Sequence, residues 1–119
     1  MIYASEHPAL AIIEFLVNVG DRKLIPEGTT LYSIEVPGDI PVQNLPCNFP
    51  AANWKRSTAE TREYGTQWLD RADELVLQIP AATTEGNNFL INPRHRDISK
   101  LLIVDRIAQP FDDRLIALK

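Results

Sequence analysis

The sequence has 119 residues, of which 45% are apolar and 24% charged, enough for one small domain with a single core. The net charge is −4 and the isoelectric point about 5.1. Both signs are mixed along the chain, which excludes the basic stripe that nucleic-acid binding needs. A small anionic ligand stays compatible, because a few Arg side chains and backbone N–H groups bind phosphate even on an acidic protein.

The chain opens with Ile2-Tyr3-Ala4, which reads as the end of a strand feeding directly into a helix. Ser5 is the expected N-cap, with Pro8 in the first turn where its missing N–H costs little. From Ala9 to Val19 the spacing is helical, with Leu10, Ile13 and Val17 as the expected buried face, and Gly20 ends the helix. Thr29 to Val36 alternates, with Leu31, Ser33 and Glu35 on one side and Tyr32, Ile34 and Val36 on the other, and predicts a half-buried strand. The helical face is expected to pack on the sheet that holds this strand. Prolines 37, 41, 46 and 50 predict an irregular excursion from Pro37 to Ala52.

Ser57-Thr58-Ala59-Glu60 fits a capping box and starts a second helix that runs through Trp68 and Leu69, with a weak point at Gly65. Leu75–Ile79 predicts a short strand stopped by Pro80. A polar loop from Thr83 to Asn88 leads to a buried strand at Phe89-Leu90-Ile91, ended by Asn92-Pro93. One helical turn near Asp97 and a last strand from Leu101 to Ile107 complete the pattern. The order is α+β rather than alternating βαβ, in one domain without internal repeats.

Cys47 is the only cysteine, so no intrachain disulfide forms and a reducing compartment is expected. His7 and His95 lack Cys or His partners at ligand spacing, so no metal site is expected and a surface role is assigned to both. No apolar run approaches the roughly 20 residues of a membrane span. Glu6 and His7 interrupt the N-terminus before a signal-peptide core develops. The expectation is a cytoplasmic protein with no membrane contact.

Four stretches resemble, in order, the RES domain. They are Tyr3 to Glu14; Tyr32-Ser33-Ile34-Glu35-Val36-Pro37; Trp54 with Thr61 to Leu69; and Leu77-Gln78-Ile79-Pro80 followed by Asn87 to His95 and Pro110 to Leu115. The resemblance implies a mixed sheet with packed helices, similar to ADP-ribosyltransferases. It also implies a toxin of a bacterial toxin–antitoxin pair. Such a toxin consumes NAD+ by hydrolysis, phosphorolysis or ADP-ribose transfer, and a cognate Xre-type antitoxin neutralises it. Two departures stand out. The family's Gly-rich segment with an Arg would precede Tyr3, and this sequence begins after that point. Ala81 occupies the place of the family's Ser after the strand proline. Of the family's Arg, Glu and Ser, Glu14 is present, so little NAD+ cleavage is expected from this chain alone. Self-association into a homo-oligomer, or partner binding, is expected at the sheet edge the absent segment would cover.

On residue pattern alone, Glu14 is a solvent-facing glutamate of an amphipathic helix; the resemblance makes it the catalytic carboxylate. NAD+ cleavage passes through an oxocarbenium-like state that a carboxylate stabilises. Tyr3 is either a second catalytic and NAD+-contacting group, through its ring or hydroxyl, or a strand-edge tyrosine. Ser5 is a capping residue or a phosphate contact. Asn92 is a turn residue first and an NAD+ contact second. Trp54 and Trp68 read as core or interface anchors. The competing function is a RES-like chain that has lost turnover and serves as an antitoxin-binding or regulatory module. A third reading, on composition alone, is a small α+β interaction domain.

Overall fold

The computed structural model describes residues 1–45, 58–81, 83, 85–108, 110–112 and 114. In chain order the strands and helices are β1 (Ile2–Ser5), α1 (Pro8–Val19), β2 (Thr30–Glu35), β3 (Val42–Asn44), α2 (Thr58–Arg71), β4 (Val76–Pro80), β5 (Asn87–Ile91) and β6 (Leu102–Ala108). Single 3-10 turns occupy Arg22–Leu24 and Ile98–Lys100. The fold is α+β. One sheet has the order β1-β5-β4-β3 and is mixed, because β3 runs parallel to β4 while the other pairs are antiparallel. A second sheet is a ribbon of β2 and β6.

β4 and β5 form the centre, and their apolar residues alternate between two faces. Leu77 opposes Leu90 in register, and both pack with Trp68 of α2 on one face. Val76 opposes Ile91 on the other face, where they join Ile40 and Leu75 with Ala4, Ile34 and Phe89. Strands covered on both faces read as continuous apolar runs, which is why Leu75-Val76-Leu77 shows no alternation.

Several expectations need correction. Ser5 ends β1 and does not cap α1. His7 is the N-cap, with extended backbone and its Nδ1 accepting the Ala9 N–H at 3.0 Å. The Leu10–Ile13–Val17 face is only buried at Leu10, while Ile13 is 41% and Val17 59% exposed. Two further contacts hold the helix, one beside that stripe and one away from it. Glu14 meets Thr83 of the β4–β5 loop, and Phe15 stacks on Phe111 with centroids 5.3 Å apart. α1 therefore lies beside β1 and the first 3-10 turn, rather than on the β2 ribbon.

The Pro37–Ala52 excursion contains a strand, β3, fitted between Pro41 and Pro46. Its Gln43 side chain accepts the indole N–H of Trp68 at 2.9 Å, which ties the sheet edge to α2. The capping box at Ser57, together with Cys47 and Trp54, lies outside the described residues. α2 is continuous through Gly65, where a Cβ would stand 3.6 Å from the Met1 side chain.

In β2, Ile34, followed by Val36, reaches the core, while Tyr32 is exposed under the Arg106 guanidinium, 5.9 Å from the ring centroid. The ribbon's register shifts between Ser33 and Ile34, leaving Val104 as an extra residue on β6.

Leu77 is fully enclosed and Val17 is not, so truncation should separate them. Leu77→Ala is expected to cost about 2–5 kcal/mol in urea unfolding. Val17→Ala should stay within about 0.5 kcal/mol. Equal losses would contradict this account of the packing.

Candidate functional site

The junction of β1 and α1 is fastened to the start of β5 by polar contacts. Ser5 Oγ donates to Asn88 Oδ1 at 2.6 Å. The Glu6 N–H donates to the Asn87 carbonyl at 3.1 Å, and the Glu6 carboxylate accepts the Asn87 backbone N–H at 3.0 Å. Leu10 lies beneath Gly86, whose φ of +119° only glycine adopts readily. One turn further along α1, Glu14 Oε1 accepts the Thr83 hydroxyl at 2.6 Å. A hydrogen bond from Ala81 N–H to the Gly86 carbonyl, 2.9 Å, closes the loop that carries Thr83.

Beside this junction a cleft of about 700 Å³ opens between the larger sheet and the β2 ribbon. Ile2, Ala4, Phe89 and Ile91 form its floor, Leu31 and Ile34 its opposite wall, and Ser5, His7 and Ala11 lie at the helix end. The volume suits a ligand of drug or cofactor size, and mainly apolar walls with few polar groups are usual for such sites. His7 adds a donor at this end. Its Nδ1 is an acceptor in the helix cap, so the neutral ring carries its hydrogen on Nε2.

Of the residues singled out from the sequence, Tyr3 and Ser5 border the cleft. Register places Tyr3 opposite Leu90, on the sheet face away from Ala4 and Phe89. It therefore meets the cleft from the strand edge, and at 73% exposed it projects largely into solvent. Glu14 is half-buried and does not line the cleft; Ala11, one turn before it, does. The structure thus brings Tyr3, Ser5 and Glu14 to one end of the domain but not into one concave wall.

Asn92 is elsewhere. It is fully buried, its amide donates to the Leu69 carbonyl at 3.0 Å, and its Oδ1 accepts the Arg94 N–H at 3.0 Å. Both ends of its amide are engaged inside the protein. His95 is a correction to the surface assignment, because it is buried and its Nδ1 accepts the Asp97 N–H at 3.0 Å. Ala81 is buried at the foot of the Thr83 loop. The contacts of Glu6 and Thr83 escaped sequence reasoning, since nothing local marks a carboxylate that binds a loop some 70 to 80 residues away.

Among the described residues, no group of three or more His, Cys, Asp or Glu side chains is placed to hold a metal. No helix among them is long and apolar enough to cross a membrane. At the exposed C-terminal end, the Arg114 guanidinium forks onto Asp112 at 2.9 Å. This holds the Asp112 carboxyl below the ordinary carboxylate range.

The apolar cleft edged by a helix terminus, with a carboxylate held one turn beyond it, forms the candidate site of this small α+β domain. Comparison with known proteins narrows the class. Residues 1–112 match the model of the RES domain. The chain is 34% identical over 118 residues to the Toxin Res of Yersinia enterocolitica, covering 96% of this chain and 76% of that protein. It is 31% identical over 124 residues to the Toxin Res of Photorhabdus laumondii, covering 99% and 77% respectively. The chain belongs to the RES-domain family.

Two substitutions test these assignments by stability. Gly86→Ala places a Cβ 2.9 Å from Glu6 Oε1 and 3.1 Å from Leu10 Cδ2 at a positive φ. It should cost about 1–3 kcal/mol. Asn92→Ala strands two part-buried backbone groups and should cost about 1–3 kcal/mol in urea unfolding. An Asn92→Ala protein of unchanged stability would free this residue for a ligand role.

Proposed function

We propose that this protein is the toxin of a toxin–antitoxin pair and that it consumes NAD+ by breaking the bond between nicotinamide and ribose. The observation that carries the reading is the family match over nearly the whole chain, with Glu14 held one helical turn from the cleft. In this reading the cleft takes the dinucleotide, with Ser5, His7 and the first turn of α1 toward its phosphates. Tyr3 at the rim contacts a ribose or the nicotinamide. As the glycosidic bond breaks, its electron pair leaves with neutral nicotinamide and positive charge develops on the ribose C1′ and ring oxygen. The Glu14 carboxylate stabilises that charge or orients the group that attacks C1′. The attacking group is water, phosphate or a protein side chain, giving a glycohydrolase, a phosphorylase or a transferase. A cognate antitoxin of the Xre type is the proposed protein partner.

A second reading has one observation in its favour. Ala81 carries no hydroxyl and is buried, so the position that resembles the family's Ser supplies no polar group to a substrate. On that reading the protein binds its antitoxin, or regulates it, without turning over NAD+.

Nicotinamide release from NAD+ separates the two. The toxin reading expects release by the full-length gene product, and Glu14→Ala should lower it a hundredfold or more. Release at an unchanged rate by the Glu14→Ala protein would remove Glu14 from the chemistry. No release by the unaltered protein would leave the second reading standing.

A further inference from the structure

We propose that Thr83 is a positioning residue for the Glu14 carboxylate. The inference rests on the reading of Glu14 as the group that faces the reacting ribose. The two side chains are 69 residues apart in sequence and meet at 2.6 Å, Oγ1 to Oε1. An ionised carboxylate has no hydrogen to give, so the hydroxyl is the donor. That distance is the one expected for an O–H group on a charged oxygen.

Only Oε1 is engaged among the described residues; Oε2 has no partner there. One neutral hydroxyl therefore orients the carboxylate without cancelling its charge. An arginine or lysine in the same place would fix the side chain but also neutralise it. Glutamate has three rotatable bonds, and a carboxylate that must face a developing charge gains from having them settled before the substrate arrives.

Thr83 holds this place because its loop is fixed at both ends. Ala81 N–H bonds to the Gly86 carbonyl, and Gly86 is pressed against Leu10 and Glu6 of the α1 junction. The helix that carries Glu14 and the loop that carries Thr83 are thus located by the same contacts. Thr83 itself is exposed and takes no part in the core. Its contact with Glu14 is the only side-chain bond described for it.

The test compares kcat and KM for nicotinamide release in the full-length gene product. The variants are Thr83→Val, which keeps the shape and removes the donor, and Thr83→Ser, which keeps the donor. Thr83→Val should lower kcat about ten- to a hundredfold with KM within about twofold, and Thr83→Ser should recover most of the rate. In a Glu14→Gln background, Thr83→Val should cause no further loss. An unchanged kcat in Thr83→Val, or a loss confined to KM, would overturn the proposal. Unfolding midpoints of the same single and double variants give a readout independent of activity. Non-additive midpoints support the pairing, and additive ones overturn it. A protein that folds, shows that coupling and releases no nicotinamide would refute the NAD+ reading while leaving Thr83 as the residue that holds Glu14.

Discussion

The Glu6 carboxylate accepting the Asn87 backbone N–H, at 3.0 Å, is the contact on which the geometry of this domain turns. A charge-assisted bond to a main-chain group fixes more than a side chain. It lies where β1 stops, where α1 begins and where β5 enters the sheet. Ser5 on Asn88 continues the same seam along the strand. Leu10 under Gly86 and Glu14 on Thr83 continue it along the helix. The apolar floor of the cleft and the carboxylate beyond its end are both referred to this seam, which is why their relative placement is well defined in so small a protein.

A second organising position is Asn92, where the chain leaves β5. Its backbone N–H reaches the Leu75 carbonyl just before β4. Its side chain satisfies a carbonyl at the last turn of α2 and an N–H in the turn that follows. Helix ends bring carbonyl groups with no partner inside the helix, and a buried one must find a partner elsewhere. One amide meets that need and also shapes the Arg94–Asp97 turn, into which buried His95 folds its ring. The Trp68 indole on Gln43 does comparable work at the far edge of the sheet.

Much of the fold was legible from period and punctuation. The helix from Pro8 to Val19, its stop at Gly20, strands expected at Leu75–Ile79 and Phe89–Ile91 and the turn at Asp97 follow from local signals, although β4 takes in Pro80 and β5 starts at Asn87, where a loop was expected. What local signals could not show is which side of α1 faces inward. That is decided by Thr83 and Phe111, both distant in sequence. β3 was hidden because prolines 37, 41 and 46 dominate its surroundings, while the parallel pairing that makes it a strand comes from β4. Ser5 was the expected N-cap, whereas the cap is His7, two residues on. Ser5 belongs to β1, and its hydroxyl is taken by Asn88. The candidate site divides in the same way. Tyr3, Ser5 and Glu14 were marked by resemblance to a known family, whereas Glu6 and Thr83 matter through partners that only the folded chain brings near.

The ribbon of β2 and β6 gives the cleft an unequal pair of walls. One wall belongs to the four-stranded sheet, whose central strands β4 and β5 are covered on both faces; the other is a two-stranded ribbon whose Leu102, Ile103, Val104 and Ile107 remain about half exposed. Two-stranded ribbons have little stability of their own, so this wall draws what it has from Ile34 and Val36 at its inner end. The free energy needed to open the ribbon alone is then well below that of global unfolding. Any molecule bound between the walls adds its own binding free energy to that local barrier. Occupancy of the cleft would accordingly be written in the amide hydrogen exchange of Thr30–Glu35, with that of Val76–Pro80 almost unaltered.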